Sequence, residues 1–250
     1  MLIQSLLFTA ATSVWAEPLE TPAPKAESEE EPKAETEAKE EEAPPPAPVV
    51  EKWIGTLAVF GSRKVPLLGK VEFRTDTHVL ATATLEGPVW VVAQSTCRVN
   101  FKKVAGAKIT LDETAPSKMP MAHFTWLPGE DVWMAGPWGS GWDEADHDQD
   151  GNPGITMHIA APFCGGELYV ASKASQTARG EPGKGRVVEG KLDIHVEQNI
   201  LGARGPCLNL MARDTKEWMH GQFAFVKVED DATCASVKAE RFPDPLEEED

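Results

Sequence analysis

The sequence predicts an all-β fold, a single antiparallel barrel or sandwich, over residues 51–242. Three observations carry that expectation. Apolar residues recur at every second position, as in Leu192, Ile194 and Val196 set against Lys191, Asp193, His195 and Glu197. A period of two sends alternate side chains to opposite faces of a strand. Such segments are separated by Gly, Pro and Asp at short intervals, and stretches with helical spacing are nearly absent. One continuous region of this length can enclose a full core.

In chain order, Met1–Ala16 is mostly apolar and ends in Val14-Trp15-Ala16, the pattern of an export signal cleaved before Glu17. Residues 17–50 hold eleven Glu and three Lys with no aromatic residue, and eight of the prolines fall there. Such a segment has too little apolar surface to offset its ordering entropy, so it is expected to be a charged, disordered linker. From Lys52 the texture changes. Strand signals follow at Trp53–Phe60, Val71–Phe73, Val79–Leu85, Val89–Phe101, Ile109–Leu111 and Phe124–Trp126. They resume at Ile155–Ile159, Glu167–Val170, Val188–Val196, Leu208–Ala212 and Phe223–Val228. In Val89–Phe101 the apolar face is expected to run through 89, 91, 93, 97, 99 and 101. Asp214–Met219 reads as a single helical turn. Thr233–Arg241 reads as a short C-terminal helix, with Thr233 as N-cap and Pro243 as stop. Residues 243–250 form an acidic, disordered tail. Many strands of similar length joined by short turns favour barrel closure, of which a lipocalin-like barrel is one form.

The net charge of -16 is concentrated at the ends. Residues 17–50 contribute -8 and 241–250 contribute -4, leaving -16 + 8 + 4 = -4 for residues 51–240. No basic patch is present, which argues against a nucleic-acid partner. No apolar run is long enough to cross a bilayer as a helix. Four cysteines, Cys97, Cys164, Cys207 and Cys234, are widely spaced with no C-x-x-C pair. In a secreted or periplasmic protein they imply two disulfides, with three pairings open.

The densest chemistry lies at Asp146-His147-Asp148-Gln149-Asp150-Gly151-Asn152-Pro153-Gly154. Carboxylates at positions 1, 3 and 5 can turn inward on one curled segment. Gly151 at position 6 permits the turn, and the Asn152 carbonyl at position 7 adds an oxygen. Over these nine residues the chain resembles the first half of an EF-hand calcium loop, which implies calcium as the ligand. It departs from that pattern at position 12, where Met157 replaces the bidentate glutamate, and at position 8, where Pro153 stands. The flanks also differ. Gly136–Trp142 is too rich in breakers for an entering helix, and Ile155–Ile159 alternates like a strand. Asp143, Glu144, Glu130 or Asp131 could supply a further carboxylate. His147 is expected to project into solvent. A metal-free Asx turn is the competing reading.

Trp126, Trp133, Trp138 and Trp142 crowd into one stretch and make up half of the eight tryptophans. On a glycine-rich loop they could stack against a carbohydrate or another extracellular ligand, or they could plug a barrel end. Enzyme signatures are poor. Gly139-Ser140-Gly141 lacks the preceding glycine of a nucleophile elbow, and there is no H-E-x-x-H or P-loop. His123 and His158 lie on expected strands and could meet across a sheet. The reading is an exported calcium-binding β domain that acts as a binding or structural module. The alternatives are a polymer-directed hydrolase with structural calcium, or a carbohydrate-binding module.

Overall fold

Among the described residues ten strands, numbered in chain order, carry most of the structure. They are β1 (Val50–Val65), β2 (Gly69–Glu86), β3 (Val89–Phe101), β4 (Lys108–Leu111), β5 (Ala122–Pro128), β6 (Trp133–Trp142), β7 (Ile155–Ala160), β8 (Gly166–Pro182), β9 (Val187–Arg204) and β10 (Thr215–Val228). The structure, a computed structural model, describes residues 47–245 except 66–68, 103–105, 130–131, 162–163 and 183–186. The expected export signal, nearly all of the acidic linker, Glu130, Asp131 and the last five residues of the tail lie outside the described residues.

Antiparallel ladders run from β1 to β2, β3, β5, β6, β8, β9 and β10, and β10 pairs back onto β1. That ring closes as a barrel, joined around β5 by short ladders only, Trp90–Gln94 of β3 on β5 and Trp126–Pro128 of β5 on β6. β4 and β7 extend from it, β7 on β8 and β4 on β7.

The period of two decides what fills the barrel. Odd-numbered side chains of β1, β2 and β10 point inward, and one end is packed solid. Trp53, Val92, Phe124, Trp126, Trp138, Leu192, Phe223 and Phe225 form a buried cluster there. Its rings meet mostly edge to face, with Trp126 at 5.3 Å from Phe225 and 5.8 Å from Trp53, while Phe124 stacks on Trp138 at 4.6 Å. Such aromatic pairs add to the burial of their area. The other half of the barrel is not filled and holds a cavity of about 430 Å³.

A smaller apolar cluster lies outside the barrel wall. Ile54 and Val228 are covered by Ala232, Val237 and Phe242 of the C-terminal segment. That strap is pinned by Cys97–Cys234, and Phe242 stacks on His78 at 4.4 Å. The second disulfide, Cys164–Cys207, ties the start of β8 to the end of β9. By loop-closure entropy the two bridges, closing 137 and 43 residues, stabilise by about 5 and about 4 kcal/mol.

Several local expectations are corrected. The β3 face does not run through 89, 91 and 93. Val92 and Gln94 are the buried positions, and the ladder slips between His78 and Val79 so that Cys97 is an extra residue. This bulge reverses the parity and returns Val99 and Phe101 to the cavity side. Leu208–Ala212 is not a strand: Gly205 (φ 146°) and the tethered Cys207 lead into a short helix, α2 (Leu208–Met211). A second short helix, α1 (Ala115–Lys118), precedes β5. Asp214–Met219 is not helical, because β10 begins at Thr215 and pairs with β9 through Thr215↔Gln198 to Met219↔Ile194. The C-terminal helix is replaced by turns and one 3-10 turn at Ala239–Arg241. Extended Lys238 (ψ 151°) breaks the segment, which must reach the wall at both Val237 and Phe242. The Gly/Pro-rich stretch before the aspartates is β6. Gly141 (φ 132°) lies so close to β8 that a Cβ there would stand 2.0 Å from the Ser172 carbonyl oxygen.

Candidate metal centre

The aspartates sit where one wall strand is interrupted. Trp142 of β6 pairs with Ser172 and Ile155 of β7 pairs with Val170, so both strands lie along the same edge of β8. Residues 143–154 are extruded between them as a loop. Its base is closed by the Gly154 N–H on the Ala145 carbonyl (3.0 Å) and the His147 N–H on the Gly154 carbonyl (3.1 Å). Three residues take positive φ within it, Gln149 at 59°, Gly151 at 90° and Gly154 at 76°.

That curl turns the carboxylates toward each other. Asp146, Asp148 and Asp150 each offer an oxygen within 4.8 Å of the others, a group that could hold a metal ion. Backbone donors fix their orientation. Asp146 accepts from the N–H groups of Asp150 (3.1 Å) and Gly151 (2.9 Å), and Asp150 accepts from Asn152 (2.8 Å). Asp148 accepts through Oδ2 from the Thr156 N–H at 2.7 Å, which ties the loop to β7.

Asp148 is the exceptional member. It is 5% exposed, and its Oδ1 is buried with no hydrogen-bond partner among the described residues. Burial pushes its carboxyl above the usual range. The Asp150 charge and a contact with Asp146 add to that rise, while the Thr156 N–H opposes it. Lys118 of α1 reaches this residue, but its Nζ bonds the Asp148 backbone carbonyl (2.7 Å).

The other sequence candidates fall elsewhere. Asp143 is an exposed carboxylate whose Oδ1 is held by the Ala145 N–H (3.0 Å) and His147 Nε2 (2.7 Å). Neither it nor Glu144 belongs to the clustered group. His147 does not project into solvent, since its side chain is 20% exposed and packs onto Asp143. His123 sits opposite Ala93 and His158 opposite Thr110 and Glu167, so the two do not meet. Ser140 accepts a hydrogen bond from the Gln176 amide.

Trp126 and Trp138 are buried in the plugged end, with Trp133 packed against them, and form no exposed platform. Trp142 differs: it lines the cavity and donates its Nε1–H to the Val170 carbonyl at 2.6 Å. Thr156 and Lys118, which brace Asp148, were not legible as parts of this site. Nothing in the sequence near either residue marks it as belonging there. No family model, curated protein or solved structure matches this chain.

Proposed function

We propose that this protein is an exported, calcium-binding β-barrel that acts as a binding module. The observation that carries the metal reading is the buried, unpaired Oδ1 of Asp148 beside two further carboxylates. A buried carboxylate oxygen without a donor is costly, and a cation supplies the missing partner. The donor set is all oxygen: Asp146, Asp148, Asp150 and the Asn152 backbone carbonyl. Hard oxygens on an adaptable loop suit calcium, with water completing the shell where the glutamate of position 12 is lacking. Met157, at that position, lines the barrel cavity.

Two disulfides support an oxidising compartment, outside the cytosol. No described helix is long and apolar enough to cross a membrane. A closed barrel with one plugged and one hollow end supports a binding role.

Native mass spectrometry tests the metal reading. With calcium in excess, the chain is expected to carry one additional ion of 40 Da, removed by chelator and not replaced by zinc. An unchanged mass under all conditions refutes it.

A further inference from the structure

The hollow half of the barrel has walls and floor of different character. The walls are apolar, with Phe73, Val99, Met157 and Ile194 among the side chains facing the space. The floor is polar and lies directly on the aromatic plug. Gln94 is two residues from Val92 of the plug, and Gln176 stands opposite Trp138 in the ladder. Both glutamines face the cavity and both are only 8% exposed. The Gln176 amide is engaged with Ser140, but the Gln94 side-chain carbonyl is buried without a hydrogen-bond donor.

An amide placed among apolar side chains with its acceptor unmet is a costly arrangement for a lone structural core. It becomes favourable when something entering the space brings a donor. Charge narrows the choice. Among the described lining residues the only cation is Arg74, whose Nε bonds Asp76 at 2.7 Å and which stands seven residues along β2 from Ala81, the ladder partner of Gln94. An anionic head group therefore finds no countercharge at the floor. The volume of about 430 Å³ falls in the range of small-molecule sites, about 300–1,000 Å³.

We propose that the open half of the barrel binds a small, uncharged, largely apolar molecule carrying one hydrogen-bond donor, a hydroxyl or amide N–H, seated on Gln94 at the cavity floor. This deepens the binding-module reading and is independent of the metal, so absence of calcium binding leaves it standing. Binding would bury the apolar body against the walls, which supplies affinity, while Gln94 selects the polar end.

The test is fluorescence titration of the full chain with N-phenyl-1-naphthylamine, a neutral probe bearing one N–H, followed by competition. Saturable binding at one site per chain is expected. 1-Decanol is expected to displace the probe at least tenfold better than decanoate at pH 7.5. It should also exceed 1-methoxydecane, which lacks the donor, by about threefold to tenfold. Gln94→Leu is expected to abolish that preference for the alcohol over the ether. Thr96→Phe, which fills the cavity, should weaken the probe at least tenfold with an unchanged circular dichroism spectrum. Three results overturn the proposal: no saturable binding, decanoate competing as well as decanol, or undiminished probe affinity in folded Thr96→Phe. The first two are read on the native sequence and need no variant to fold.

Discussion

Replacing Asp148 with asparagine separates ligation from repulsion at the loop. The substitution keeps the size of the side chain and an oxygen that can accept the Thr156 N–H, but removes one of three clustered negative charges. At 4.8 Å, two like charges repel by about 1 kcal/mol in water and about 3.5 kcal/mol at an effective dielectric of 20. Asp146 and Asp150 are exposed, so the lower figure applies to each pair. Asp148 takes part in two such pairs, so its neutralisation relieves about 2 kcal/mol in the metal-free protein. A domain of this size shifts by about 2–4 °C per kcal/mol, so Asp148→Asn is expected to melt about 4–8 °C above the native protein in chelator. Calcium at about 100 times its Kd stabilises the native protein by about 2.7 kcal/mol, roughly 5–11 °C, and the variant loses most of that. The variant's lead in chelator is therefore erased or reversed in calcium. Differential scanning calorimetry in both media reads it directly. A variant that melts lower than the native protein by the same amount in both would refute the reasoning and identify a metal-free turn.

Three further outcomes follow from the fold. Cys97→Ser with Cys234→Ser should lower unfolding free energy by up to about 5 kcal/mol in urea titrations, and limited proteolysis should then cut first in the strap at 229–242. Gly141→Ala places a Cβ against the Ser172 carbonyl at a dihedral that L-residues rarely adopt, so a loss of about 2–4 kcal/mol is expected by the same titration. Burial, reinforced by Arg98, lowers the pKa of His78 beneath Phe242, while Asp76 and Asp244 oppose that shift. Because the unfolded chain then binds the proton more readily, the stability from this histidine is complete above about pH 6.5 and declines as pH falls toward the depressed value. His78→Gln should flatten that part of the stability–pH curve, and an unchanged curve removes His78 as its source.

What the sequence disclosed depended on how local the determinant was. The aspartate loop was readable because its carboxylates come from one contiguous segment and need only a turn to meet. Strand β9 was readable because its alternation is unbroken. The parity of β3 was misjudged because one extra residue at Cys97 moves every later side chain to the other face, and a bulge leaves no compositional mark. The start of β10 looked helical because Lys216 and Trp218 occupy its outward face, where local propensity is free to mislead. Pairing with β9 overrode it. Strand β6 was hidden by Gly136-Pro137, which the ladder tolerates as an irregularity. The cavity could not be foreseen, since Gln94 and Gln176 come together only when distant strands close the ring.

That closure joins Lys52–Phe60 to His220–Val228, the opening of the folded region to its finish. A nascent chain has no means of sealing the seam until its last strand has emerged, and Cys97 must wait as long for Cys234. Assembly of this barrel is therefore a late event, dominated by distant contacts. A polypeptide kept open for its whole length leaves the apolar faces of its early strands uncovered until the final strand arrives.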